Sequence, residues 1–181
     1  MTVTETALLE EFVNTLEKEP GREDEESFAS PDDVAGWLRG RGLLDAGEVT
    51  EPDVVRLIDL RESLRTLLLA NNAVEVDVRP AWAVIDDCAR RGRIELRFPE
   101  GVPQLIVSAA GVDGALGQIV ARVHAAMLDG SWPRLKACRA HDCEWAFHDN
   151  AKNQSRAWCS MRSCGNREKA RTFRRRHIAS S

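Results

Sequence analysis

The chain lacks any apolar run able to cross a bilayer. Its most apolar stretches, around Leu64 to Ala70 and Leu105 to Ala110, are far too short. Met1 to Glu11 lacks the positively charged start and apolar segment of a secretory signal. No internal repeat or low-complexity tract occurs. Cysteine is scarce, five in 181 residues, and four of the five fall between positions 138 and 164, which excludes a disulfide scaffold spread through the chain. These absences predict a soluble intracellular protein, in whose reducing surroundings clustered cysteines serve as metal ligands.

The net charge of -4 conceals an asymmetry. From Arg134 onward there are 12 basic against 4 acidic residues, a net of +8; residues 1 to 133 hold 13 basic against 25 acidic, a net of -12. A basic terminal module on an acidic body points to a polyanionic partner, commonly nucleic acid, or to attraction between the two halves.

The body reads as mainly helical. Leu8, Leu9, Phe12, Val13 and Leu16 recur at helical spacing. Glu19 to Ala29, acidic and polar, reads as an exposed loop. Ser30-Pro31-Asp32-Asp33 carries a capping signal for a short helix with Val34, Trp37 and Leu38 inward, stopped by Gly40 and Gly42. Thr50-Glu51-Pro52-Asp53 repeats that signal and opens a helix ending by Asn71-Asn72. A further helix spans Pro80 to about Arg91, with Trp82, Ile85 and Cys88 inward; Cys88 is expected to be a small buried side chain. Ile94, Leu96 and Phe98 alternate with Glu95 and Arg97, and Leu105 to Ala109 supplies a second strand, so a β-hairpin is predicted. Ile119, Val120, Val123, Ala126 and Met127 define a last body helix closing near Gly130. His124 on it is expected to be a core or surface imidazole. The predicted division is a body over 1–131 and a terminal module over 132–181.

That module contains Cys138-x4-Cys143, then fifteen residues, then Cys159-x4-Cys164. Two cysteine pairs of equal spacing form two turns presenting four thiolates to one Zn2+, a closed tetrahedral set of the structural kind. No ligand position stays open for an activated water, so no catalytic residue is predicted. Trp145 and Phe147 alternate with Ala146 and His148, consistent with a strand, and Asp149 to Asn153 can reverse the chain. The order turn, hairpin, turn and helix is treble-clef-like. The thiolate set carries a formal -2 with zinc, which Arg139, Arg162 and Arg167 or backbone N–H groups can offset.

From Asn166 a helix is predicted, with Arg167, Arg171, Arg174 and Arg175 in one broad stripe, Lys169 and Arg176 widening it, and Ala170 and Phe173 packed inward. Arginine forks contact phosphates in pairs, and phosphate contact follows from charge more safely than base reading.

Cys164-Gly165-Asn166-Arg167 and the four cysteines resemble the CGNR zinc-finger family, as do Phe147-x-Asp149, Asn153, Arg156 and Trp158-Cys159. Phe12-Val13-Asn14-Thr15-Leu16 and the Ser30-Pro31 to Trp37-Leu38 segment resemble the opening of the ABATE domain that often precedes that finger. Ala151 and Ala157 depart from the pattern, at positions where the family often has serine and arginine. The resemblance implies an ABATE-like body and a bacterial, cytoplasmic, stress-related transcription regulator whose zinc module binds DNA and would lie with the nucleoid. Arg156 then joins Arg167, Lys169, Arg171, Arg174, Arg175 and Arg176 as a candidate nucleic-acid contact. Asn14, polar on an apolar helix face, is either a framework hydrogen-bonder or a ligand contact. A zinc-stabilised protein-interaction or scaffold module, including a homodimer, is the alternative to DNA binding. RNA stacking on Trp145, Phe147 and Trp158 requires those rings to be exposed.

Overall fold

A computed structural model describes residues 5–18 and 23–178, with side chains described for 6–18 and 23–174. Helix α1 (Glu5–Val13) is followed by a two-residue strand β1 (Leu16–Glu17) paired antiparallel with β2 (Glu25–Glu26). Then come α2 (Pro31–Gly40), α3 (Glu51–Asn71), α4 (Arg79–Arg91), the hairpin β3 (Ile94–Arg97) and β4 (Gln104–Val107), and α5 (Gly111–Leu128). Strands β5 (Leu135–Ala137) and β6 (Ala146–His148) form a second hairpin, a π-helical turn spans Met161–Gly165, and α6 (Asn166–Ile178) ends the described chain. The fold is mostly helical, with small antiparallel hairpins and a terminal four-cysteine cluster.

Local chemistry explains the helix starts. Ser30 Oγ accepts the Asp33 N–H and donates to the Asp33 carboxylate, with Pro31 in the first turn. Thr50 N–H donates to Asp53 at 2.9 Å, closing a capping box. Tertiary contacts decide more. Leu16 does not continue the first helix but enters β1. The Ser27 N–H bonds Thr15 O, and Phe28, within the segment expected to be an exposed loop, is fully buried. The Phe28, Phe12 and Trp37 rings pack with centroids 5.5–6.0 Å apart. Arg61 of α3 holds this segment from beneath, buried and bidentate to Glu26 at 2.7 Å. In the described part of that stretch, Phe28 is an apolar anchor and Glu26 pairs with buried Arg61, while Glu23, Asp24 and Glu25 are exposed as expected.

Helices α4 and α5 meet at Gly92 and Gly117, where a Cβ on either residue would stand under 3.0 Å from the other's Cα. Only glycine lets the two backbones approach this closely. Cys88 is buried on α4, and burial pushes its thiol up to about 11, leaving it protonated and inert. His124 is exposed. Met127, expected inward, is 41% exposed.

The apolar core does not stop at residue 131. Trp132, Leu135, Ala137 and Ala146 are buried in the same cluster as the leucines of α3 and α5. A smaller cluster of Cys138, Ala140, Cys143, Phe147 and Cys164 lies beyond it. The β5–β6 hairpin thus has one foot in the body and one in the cysteine cluster.

Candidate metal centre

The four sulfurs of Cys138, Cys143, Cys159 and Cys164 all lie within 4.8 Å of one another. Cys143 Sγ is 3.6 Å from Cys159 Sγ, which is 3.6 Å from Cys164 Sγ. A tetrahedron with Zn–S bonds of about 2.3 Å has sulfur–sulfur edges of about 3.8 Å. The donor set therefore fits one structural Zn2+ in size, number and softness. Without metal the sulfurs must share protons: thiol donation from Cys143 and Cys159 draws Cys138 toward thiolate, and the same sharing pushes Cys143 and Cys159 up. A divalent cation removes that conflict by accepting all four as thiolates.

Each cysteine pair sits on a specific turn. After Cys138, the N–H groups of Cys143 and Glu144 both donate to Ala140 O at 2.9 and 3.0 Å, and Glu144 takes a left-handed φ of 49°. In the second pair Cys159 precedes the π-helical turn and Cys164 lies within it; the turn's start is capped by Ser160 Oγ accepting the Ser163 N–H. A Cβ at Gly165 would stand 2.5 Å from Met161 Sδ and 3.1 Å from the Trp158 ring, so a side chain there would displace the exposed Met161.

Charge compensation comes from the helix that leaves the cluster. Arg167 Nη2 lies 3.4 Å from Cys164 Sγ and 3.2 Å from Asp142 Oδ1. Its Nε is buried with no hydrogen-bond partner among the described residues. A cation held this tightly against the sulfurs matches the -2 charge of a Zn(Cys)4 unit. Arg171 Nη2 donates to Asp142 Oδ2 at 2.6 Å and also pairs with Glu168. Burial works against the Asp142 charge, but the Arg171 hydrogen bond and the Arg167 charge outweigh it and hold its pKa below the ordinary carboxylate value. Arg139 turns away from the metal position and donates to Asn72 O at 2.7 Å, and Arg162 is exposed.

Comparison with protein families matches residues 6–131 to ABATE, described as "Putative stress-induced transcription regulator", and residues 134–177 to the CGNR zinc finger. The first match covers well over half of the chain. The chain belongs to the ABATE family. No curated protein matches it.

In this ABATE-family chain the candidate nucleic-acid residues fall into three groups. Arg156 is a framework cation: it stacks 4.7 Å from the Phe147 ring centroid and donates to Trp158 O and Cys159 O. Arg167 and Arg171 converge on Asp142. Lys169 and Arg174 are exposed, while the side chains of Arg175 and Arg176 lie outside the described residues. Ala170 and Phe173, expected inward, are exposed, Phe173 by 62%. The short module core is already filled by Phe147 with Trp145 and Trp158 against it, so the outer turns of α6 project beyond it. Phe147 is buried and Trp145 and Trp158 half-buried, which leaves little ring face for base stacking.

Asn14 links the end of α1 to β6. Its side-chain amide donates to Ala146 O at 3.0 Å and accepts the Ala146 N–H at 2.8 Å, acting as one further rung beside β6. Sequence reasoning missed the other links between body and finger. Arg65 of α3, buried, donates to Val13 O at 2.7 Å and Glu144 O at 3.0 Å, while Lys18 pairs with the Glu144 carboxylate at 2.7 Å. Asn71 donates to Trp132 O and Leu135 O, and Asn72 to Ala137 O and Ala157 O. Inside the finger, buried Lys136 pairs with buried Asp149 at 2.7 Å. One signal was present in the sequence. All four acidic residues of the basic segment (Asp142, Glu144, Asp149 and Glu168) are ion-paired, so acids scattered in a positive run marked its framework.

Proposed function

We propose that the chain is a DNA-binding transcription regulator in which a structural zinc fixes the two cysteine turns and α6 engages phosphate, with any base reading secondary. One observation carries the reading: α6 begins at the last ligand turn, and its cations divide between two tasks. Arg167 and Arg171 anchor the helix to Asp142 and the sulfur cluster. Lys169 and Arg174 face solvent, and Arg175 and Arg176 follow in sequence. The family description as a transcription regulator and the module's +8 charge support the same reading. When bound, zinc supplies a rigid tetrahedral node; the chain's own residues hold the helix and contact the polyanion.

The test is fluorescence anisotropy of zinc-loaded full-length protein with a randomised duplex pool, repeated over a range of salt. Log affinity should fall linearly with log salt, and Lys169→Ala/Arg174→Ala should weaken binding and shallow the slope by about 0.9 for each phosphate no longer neutralised. These two positions are preferred to Arg171, whose removal also disturbs the Asp142 pair. Absence of binding at low salt would move the protein-interaction or scaffold reading ahead. That second reading draws on the interlock at Glu144, Ala146 and Ala137, which makes the finger part of the body's framework.

A further inference from the structure

Three large apolar side chains on the β3–β4 hairpin and its connecting turn stand in water. Leu96 is 58%, Phe98 62% and Val102 55% exposed. Between the hairpin and α5 lies a groove of about 560 Å³ walled by Leu96, Leu105, Ala121 and Leu128 together with Arg122 and His124. Among the described residues the sheet has two strands, and the outer edge of β3 is unpaired. An unpaired edge strand offers its N–H and C=O groups to another chain.

The β3 edge is complementary to itself. Ile94-Glu95-Leu96-Arg97-Phe98 reads apolar, negative, apolar, positive, apolar about Leu96. Laid antiparallel on a second copy with Leu96 opposite Leu96, Ile94 faces Phe98 and Glu95 faces Arg97, twice over. The hydrogen-bond phase agrees. In the register Ile94↔Val107, Ser108 N–H donates to Arg93 O. Alternation then makes Glu95 and Arg97 the residues bonded to β4 and turns the Leu96 N–H and C=O outward. Those groups are the ones a two-fold centred on Leu96 would join. Sliding by two residues in either direction sets Glu95 against Glu95 or Arg97 against Arg97, which repel.

We propose that two copies of this chain associate through β3, joining their hairpins into a four-stranded antiparallel sheet about a two-fold axis at Leu96. The contact is isologous and closed, as dimer interfaces usually are. It uses no residue of the zinc module, so it stands independently of the DNA reading.

Sedimentation velocity of zinc-loaded full-length protein, carried to high micromolar concentration, tests it. The wild-type chain should dimerise. Arg97→Glu, which sets carboxylates opposite each other at both pairs, and Leu96→Glu should each weaken the dimer by about tenfold or more. The swap Glu95→Arg/Arg97→Glu restores both opposite-charge pairs and should recover the dimer. All three positions are exposed, so circular dichroism of the variants should match the wild type. A wild-type chain that stays monomeric overturns the proposal. So does a dimer indifferent to Arg97→Glu, or a swap variant that fails to recover association.

Discussion

Asp149→Ala should be among the most damaging single changes in the finger. The carboxylate is fully buried, accepts the Lys136 ammonium at 2.7 Å, and accepts the Ala151 and Arg156 N–H groups at 3.0 Å each. Removing it leaves Lys136, itself buried, with Gln154 O at 2.6 Å as its main acceptor. Orphaning one partner of a buried pair costs about 3–5 kcal/mol, and two unsatisfied N–H groups add about 1 kcal/mol or more. That is a large share of the roughly 5–15 kcal/mol of a typical domain. The assay is urea denaturation of zinc-loaded protein followed by tryptophan fluorescence, with zinc transfer to a chromophoric chelator as the local readout. Transfer should speed up, because the 149–156 turn carries Arg156, which holds Cys159 O. Lys136→Met/Asp149→Leu should cost less than Asp149→Ala, since an apolar pair leaves no stranded charge. A loss under about 1 kcal/mol for Asp149→Ala, or purely additive effects in the double-mutant cycle, would refute the reasoning. The pH dependence has a definite sign. Burial opposes the Asp149 charge, but the Lys136 hydrogen bond and the two N–H donors outweigh it and lower its pKa. Its contribution is therefore complete above the unfolded carboxylate value of about 3.9 and is lost as pH falls from there through the folded value.

Other outcomes follow from the same contacts. Cys159→Ser should abolish stoichiometric zinc retention measured by elemental analysis, and chelation of the wild-type protein should lower the melting temperature of the whole chain, because β5 and β6 belong to the body core. Arg65→Leu should cost at least about 2 kcal/mol in denaturant unfolding, since it strands Val13 O and Glu144 O, and Arg65→Lys should rescue little because one ammonium cannot reproduce the fork. Asn14→Asp should destabilise by about 1–3 kcal/mol at neutral pH, as the carboxylate cannot donate to Ala146 O; a thermal melt unchanged from wild type would argue against the rung.

Much of this protein was legible in the chain itself. The helix starts at Ser30 and Thr50, the apolar faces of α3 and α5, and the hairpin at Ile94 depend on spacing and neighbouring side chains, which sequence displays directly. The cysteine cluster was legible for the same reason: two short pairs confine the geometry so closely that four sulfurs can meet in few ways. The roles of the polar residues were not legible. Asn71 and Asn72 read as a helix end, yet they fasten β5 to the body; Arg167 and Arg171 read as one positive stripe with Arg174, yet they reach Asp142 from across the knuckle. Phe28 sat in an acidic stretch and is a core anchor because Arg61 lies opposite Glu26. Local pattern determines which segments become helix, strand or metal turn. Only the tertiary structure decides which charges are spent inside the framework and which are left facing water, because that depends on groups many residues apart coming within hydrogen-bond reach.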